Sequence, residues 1–338
     1  MRKGFHSILL AVASVGIAAV VCIGFNSCTG DRGRNPPLVR VTIATPVLPQ
    51  SSLVFIASGK KYFTDEGLEA TIQPQAHGKI ALDAMIQGKA DFALSTEYPF
   101  MFAVQDGKNI CAVADTLSSV KDEAIVARKD RGIRAPADLR GKRIGSYKGT
   151  MMEFFLDAFL TVNGIPKNGV KVVYLGPHEG WDALKAGKVD AVATWSPFVT
   201  LFQKKLGENG LVFYGEQFYT ESFVVSADTE YVRKNPETVT KLVRALVRAE
   251  KHVRDAPKES MRIVAEAAKV EYGLLEEIWP IYDFRVGLRQ SLLVNMENQA
   301  RWAIRTGLIG EKEIHNLADH IYPYGLKAVR PDSVTMSH

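Results

Sequence analysis

Between residues 38 and 127 short apolar runs alternate with stretches whose apolar side chains recur every three to four positions. The runs at 38–44, 70–73, 92–95, 110–114 and 123–127 predict buried strands. The stretches at 51–59, with Leu53, Phe55 and Ile56, and at 80–87 predict helices. Strands joined by helices of this length imply a parallel sheet with crossover connections.

A second unit starts near Arg131. Asp138-Leu139-Arg140-Gly141-Lys142-Arg143-Ile144-Gly145 turns into a strand, 151–163 reads as a helix, and 170–175, 191–194 and 223–226 read as strands. Helices then dominate, at 236–254, 258–270 and 292–306, all with spacing near 3.6. The expected organisation is a discontinuous first lobe: 39–128, then a second lobe at 129–220, then a return at 221–338. Two crossings, near Arg128 and Glu221, would form a hinge.

One pattern occurs twice. An apolar helical stripe ends at Gly88-Lys89-Ala90-Asp91 and runs into the apolar strand 92–95; another ends at Gly187-Lys188-Val189-Asp190 and runs into 191–194. A Gly after the stripe suits a left-handed cap. Each strand opens into a polar and aromatic segment expected to be a loop, Thr96-Glu97-Tyr98-Pro99-Phe100 and Trp195-Ser196-Pro197-Phe198, at the strand end where open α/β sheets bind ligands. Two such lobes suggest a clamshell around a small molecule.

The chain's start changes where that clamshell is expected to work. Arg2 and Lys3 precede an apolar run from Ile8 to Phe25, and the small-residue stretch ending in Ser27-Cys28 follows. This reads as an export signal at 1–27 with a lipidated linker at 28–38, resembling a bacterial lipoprotein start. An uncleaved anchor or ordinary secretion are the alternatives, and all three place the folded part outside the cytoplasm. Cys111 is the one Cys beyond the start, inside an apolar run, so no disulfide within the chain is expected and a core role is. The formal charge is +5, and losing Arg2 and Lys3 leaves 40 basic against 37 acidic side chains. That balance gives no reason to expect a nucleic-acid partner.

No Walker-type loop, Gly-x-Ser-x-Gly, His-Glu-x-x-His or Cys-x-x-Cys occurs. His315 and His320 point different ways on a helix and make a poor metal pair. No cofactor, metal or catalytic residue is therefore expected, and weight moves to binding. Thr150 and Glu153 have capping-box spacing after Gly149, so a helix start there, with Gly149, Thr150 and Met151, is expected to offer backbone N–H groups to a polar ligand. Gln50 and Ser51 form a similar start. Trp195 with Ser196 offers a flat ring and a polar N–H. Ser95, Thr96 and Glu97 face it from the other lobe; Glu97 is expected to meet a ligand amine or hydroxyl, the plain alternative being an exposed loop carboxylate. An acidic Glu97 without a nearby Arg favours a neutral or zwitterionic ligand. Trp279 and Trp302 read as core.

Three segments in this order resemble the substrate-binding proteins of ABC importers for nitrate, sulfonates, taurine and thiamine-pyrimidine precursors. They are Gly67-Leu68-Glu69 with the Gly88 unit, Ile125-Val126-Ala127-Arg128 with the Asp138 turn, and the Gly187 unit with Trp195-Ser196-Pro197. Phe284-Arg285-Val286-Gly287-Leu288-Arg289 and Trp302-Ala303-Ile304 extend the likeness across most of 39–332. The resemblance implies a type II periplasmic-binding-protein fold, two α/β lobes each with a mostly parallel sheet, and a monomer that delivers a small polar organic ligand to an inner-membrane permease. It also implies pocket-lining loops at Gln50 and Ser51, Ser95 to Glu97, Gly149 to Met151, and Trp195 with Ser196. A ligand sensor, or an enzyme on the same fold, are the other classes. The Cys-rich signature of the family's eukaryotic pyrimidine-synthesis enzymes is missing.

Overall fold

The structure is a computed structural model describing residues 37–176, 178–310 and 315–336, so the export signal and Cys28 lie outside the described residues. Its strands are β1 (Val39–Pro46), β2 (Leu68–Gln75), β3 (Phe92–Thr96), β4 (Ile110–Ser119), β5 (Glu123–Arg128), β6 (Arg143–Ser146), β7 (Lys171–Tyr174), β8 (Ala191–Trp195), β9 (Gly210–Tyr214), β10 (Glu221–Asp228) and β11 (Asp283–Gly287). The helices up to the return are α1 (Ser52–Gly59), α2 (Tyr62–Asp65), α3 (Gly78–Ile86), α4 (Glu97–Gln105), α5 (Met152–Val162), α6 (Gly180–Lys185) and α7 (Phe198–Leu206). Beyond it come α8 (Thr229–Lys234), α9 (Pro236–Asp255), α10 (Pro257–Ala268), α11 (Tyr272–Ile278), α12 (Gln290–Arg305) and α13 (Tyr324–Val329).

The strands form two sheets, ordered β11-β4-β10-β3-β1-β2 and β7-β6-β8-β5-β9. Five strands of the first correspond one for one to the second. In each, a parallel trio (β2-β1-β3, or β7-β6-β8) meets an antiparallel strand beside the repeat strand, β10 beside β3 and β5 beside β8. A further antiparallel strand follows on the far side, β4 or β9. The duplication read from the sequence is thus a duplication of sheet topology. The two-lobed α/β class is as expected, while the pairing in both sheets is mixed, because the strand that crosses from the other lobe enters antiparallel.

The repeated Asp has a job in each lobe. Asp91 accepts the backbone N–H of Thr42 on β1 at 2.7 Å, and Asp190 accepts that of Arg143 on β6 at 2.9 Å. Each carboxylate therefore satisfies an N–H just before the neighbouring parallel strand begins to pair with the repeat strand, Thr42 ahead of the Ile43–Phe92 pairing and Arg143 ahead of Ile144–Ala191. The preceding glycines take the expected left-handed conformation, with φ +72° at Gly88 and +68° at Gly187.

Two expectations are corrected. The outward crossing lies between Ser119 and Glu123, not near Arg128, since β5 pairs with β8 and β9 in the second sheet. Both β4 and β5 are apolar runs, and burial alone does not say which sheet a run joins. The segments after β3 and β8 are not loops: α4 begins at Glu97 and α7 at Phe198, directly after a cis Ser196–Pro197 bond. Pro99 and Pro197 disguised these starts, although Pro is tolerated in a first helical turn.

One apolar core lies around the first sheet and α1, α3, α4, α9 and α10; a second surrounds β5, β6, β8 and α5. Trp302 on α12 belongs to the second core although it follows the return, and its indole donates to Asp157 on α5 at 2.6 Å. Trp279 is only half-buried, stacked on Phe284 with centroids 4.6 Å apart. Cys111 is buried in β4, and burial pushes its thiol up to about 12, which suits a packing role.

Candidate functional site

The carboxyl ends of β3 and β8 converge on a small, partly open cleft. Its walls bring together Gln50, Thr96, Thr150, Met151 and Trp195, residues drawn from both lobes. Leu48, His77, Gly78, Lys79, Pro99, Glu221 and Phe223 complete it; the sequence placed Pro99 in the segment after β3 and Glu221 at a crossing but expected none of the seven as a ligand contact. Gly78 lets α3 start hard against the end of β3: a Cβ there would sit 2.8 Å from the Ser95 Cα. That close approach carries His77 and Lys79 to the cleft.

Other expected residues are placed behind the wall. The Ser51 hydroxyl is buried between Thr45 and the Pro46 carbonyl, and Ser95 bonds the Thr96 carbonyl. Gly149 faces a neighbouring, more open groove of about 1080 Å³ shared with Lys79, Pro99 and Glu153. Ser196 is buried, its N–H on the Asp122 carbonyl and its own carbonyl accepting from Gln50. Glu97 is fully buried and accepts from the Tyr219 hydroxyl at 2.5 Å, the Ser222 N–H at 3.0 Å and Gln299 at 2.7 Å. It is not among the residues that line the cleft, and the exposed-loop alternative fails. The sequence hid this because its three partners lie 122 to 202 residues away.

The helix start at α5 also differs from a capping box. Thr150 donates its hydroxyl to the Tyr147 carbonyl, and Glu153 takes the Gly149 N–H at 2.8 Å. The carboxylate of the chain itself thus occupies one donor that was expected to be open to a ligand. Thr150 and Met151 still line the cleft by their side chains.

Four lining residues carry a buried polar atom with no hydrogen-bond partner among the described residues: Gln50 Oε1, His77 Nδ1, Trp195 Nε1 and Glu221 Oε2. Buried polar groups are nearly always paired, so a concentration of unpaired ones in a single cleft marks where a ligand's groups would go. Trp195 is 8 % exposed and held at the end of β8 by Tyr147 and Phe198, with centroids 4.9 and 6.2 Å away. Burial, with Lys79 close by, depresses the His77 imidazole, which favours its neutral form.

Behind Glu221 the two crossings meet. Carboxylate oxygens of Asp122, Glu123 and Glu221 lie within 4.8 Å of one another, all buried, and none is in an ion pair among the described residues. Burial raises all three; it pushes Asp122 up to about 6, and repulsion within the trio pushes Glu123 and Glu221 well above the usual carboxylate range. Gln50 ties the trio to the cleft, its amide donating 2.7 Å to Asp122 and 2.9 Å to the Ser196 carbonyl.

Comparison with known proteins places this geometry in context. The family model described as NMT1/THI5 like matches residues 48–260. A Bacillus subtilis (strain 168) protein named for binding aliphatic sulfonates is 24 % identical over 333 residues, 95 % of this chain and 96 % of that protein. Among solved structures, the alkanesulfonate-binding protein SsuA from Xanthomonas axonopodis pv. citri, bound to MOPS, superposes with TM-score 0.74 at 18 % identity, over 86 % of this chain and all of that one. The periplasmic nitrate-binding protein NrtA from Synechocystis gives 0.69 at 14 %, over 90 % and 93 %. The desulfurization enzyme DszB gives 0.65 at 16 %, over 87 % and 99 %, so the fold also hosts catalysis.

Proposed function

We propose that this chain, which belongs to the NMT1/THI5-like family, is the extracytoplasmic ligand-capture component of an ABC importer. It takes a small polar organic molecule between its lobes and hands it to an inner-membrane permease. The observation that carries this reading is the cleft where both repeat strands end, with four buried polar atoms awaiting partners. Relatives named for binding sulfonates support the ligand class. The chain works as a monomer, closes by a hinge at the crossings 120–122 and 215–220, and is held to the membrane through lipid on Cys28.

Binding to the folded state alone raises apparent stability by mass action. Thermal unfolding of the full-length chain in detergent, with sulfonates, nitrate, amino-acid-like zwitterions and pyrimidines, tests the reading. A rise of several degrees with one class is expected; no shift with any of them argues against capture.

A further inference from the structure

Resting on the ligand-capture reading, we propose that the cleft selects a molecule bearing an ammonium or similarly protonated nitrogen, seated between Gln50 Oε1 and Glu221 Oε2. A bare anion of the alkanesulfonate kind is then excluded unless it also carries such a nitrogen.

The polarity of the Gln50 amide is set by its neighbours. Its nitrogen faces two acceptors, Asp122 Oδ2 and the Ser196 carbonyl, so the oxygen is the atom left over. Gln50 and Glu221 are each 2 % exposed and both line the cleft, and each has one side-chain oxygen with no hydrogen-bond donor among the described residues. A buried acceptor without a donor is destabilising, a penalty a ligand N–H removes. Behind Glu221, Asp122 and Glu123 form no ion pair among the described residues, and Lys79, which also lines the cleft, is paired with Asp83 at 2.6 Å. A positive nitrogen is the ligand group that satisfies both hydrogen bonding and charge.

Burial and mutual repulsion favour the protonated form of these carboxyls. The carboxyl of Glu221 is raised by burial and by Glu123, Asp122 and Glu97, and the phenols of Tyr219 and Tyr282 pack against the same groups. A cation entering here displaces protons, which go to the buffer. That release separates a charged nitrogen from a neutral donor.

The test compares 2-aminoethanesulfonate with ethanesulfonate on the full-length chain in detergent, by calorimetry in phosphate and in Tris. The ammonium compound is expected to bind at least tenfold more tightly, with an enthalpy that differs between buffers. Glu221→Gln should weaken that binding at least tenfold while raising the melting temperature, because it removes one of three mutually repelling acids. A thermal rise in this variant shows that lost binding is not lost folding. Ethanesulfonate binding as well as its amino analogue overturns the inference and leaves ligand capture standing. Failure of every ammonium-bearing compound, in a panel where another class binds, does the same. Stabilisation by Ca²⁺ alone that Glu221→Gln abolishes assigns the carboxylates to a metal and also overturns it.

Discussion

Tyr219 donates a 2.5 Å hydrogen bond to Glu97 across 122 residues of sequence, tying the start of α4 to the segment that leads the chain back into the first sheet. Glu97 stands where the repeat predicts a ligand contact, directly after β3 as Ser196 stands after β8. Its burial and three donors make it a structural acceptor instead. Glu97→Ala strands the Tyr219 hydroxyl, the Ser222 N–H and the Gln299 amide, and should cost roughly 2–4 kcal/mol in urea unfolding. Glu97→Gln should keep ligand affinity within about twofold. A variant with unchanged stability and affinity lost tenfold would restore Glu97 to the binding site.

Arg289 forms the other long-range polar lock. Its guanidinium contacts the fully buried Asp115 on β4 at 2.6 Å, and its backbone N–H reaches the same carboxylate at 3.2 Å. Burial raises Asp115 and Arg289 offsets it, so removing the arginine leaves an uncompensated buried charge. Arg289→Ala should destabilise by about 3–5 kcal/mol. Loss below about 1 kcal/mol in denaturant melts would show that the pair is solvated.

How much of this was legible follows from the range of the interactions. Local patterns with period 2 or 3.6 placed most strands and helices within a residue or two, as at 236–254 against the observed Pro236–Asp255. The Gly88 and Gly187 repeat revealed the duplicated sheets because a left-handed cap and an edge-capping Asp are short-range needs. Trp195, Gln50 and Thr96 were found by their place at strand ends. His77 and Glu221 were missed because nothing local marks a loop His or a strand's first Glu. Their proximity arises only when β10 inserts beside β3. Glu97 was misplaced for the same reason.

Trp195 offers the cleft a ring face and one N–H donor. Trp195→Phe keeps most of the contact with Tyr147 and Phe198 but removes the unpaired Nε1 donor. Affinity for the identified ligand should fall by about 1 kcal/mol, close to fivefold, with the melting temperature nearly unchanged. Trp195→Ala should instead cost about 3–5 kcal/mol of stability by opening a cavity. Equal affinity of wild type and Trp195→Phe means the indole N–H is not a ligand contact.

Cys28 follows the apolar run and precedes a polar linker. If it carries lipid, Cys28→Ser should move the protein out of the membrane fraction while ligand binding persists. Mass spectrometry of that fraction should give Cys28 as the first residue, with added acyl mass. An intact Met1 there, or cleavage elsewhere, removes the lipoprotein assignment.

Stability should fall as pH rises from about 4.5 to 8. Asp122, Glu123 and Glu221 are all held above their ordinary range, Asp122 up to about 6. Below pH ~4 folded and unfolded chains both carry these protons, so the trio costs nothing. Above it the unfolded carboxyls, near 3.9 and 4.3, release protons that the folded cluster retains. The folded state then binds more protons, and stability declines until the folded groups also ionise. His77, depressed by burial, works the other way below its ordinary 6.5, but it is one half-buried group against three buried ones. The exposed Asp130, held down to about 2 by Arg128, loses its contribution only below this window. The net decline should be on the order of 1–3 kcal/mol, read as melting temperature against pH. In Glu221→Gln the slope should flatten, so the variant's advantage grows with pH and vanishes near pH 4.5. Parallel curves for variant and wild type would mean that Glu221 titrates normally and that the trio is hydrated.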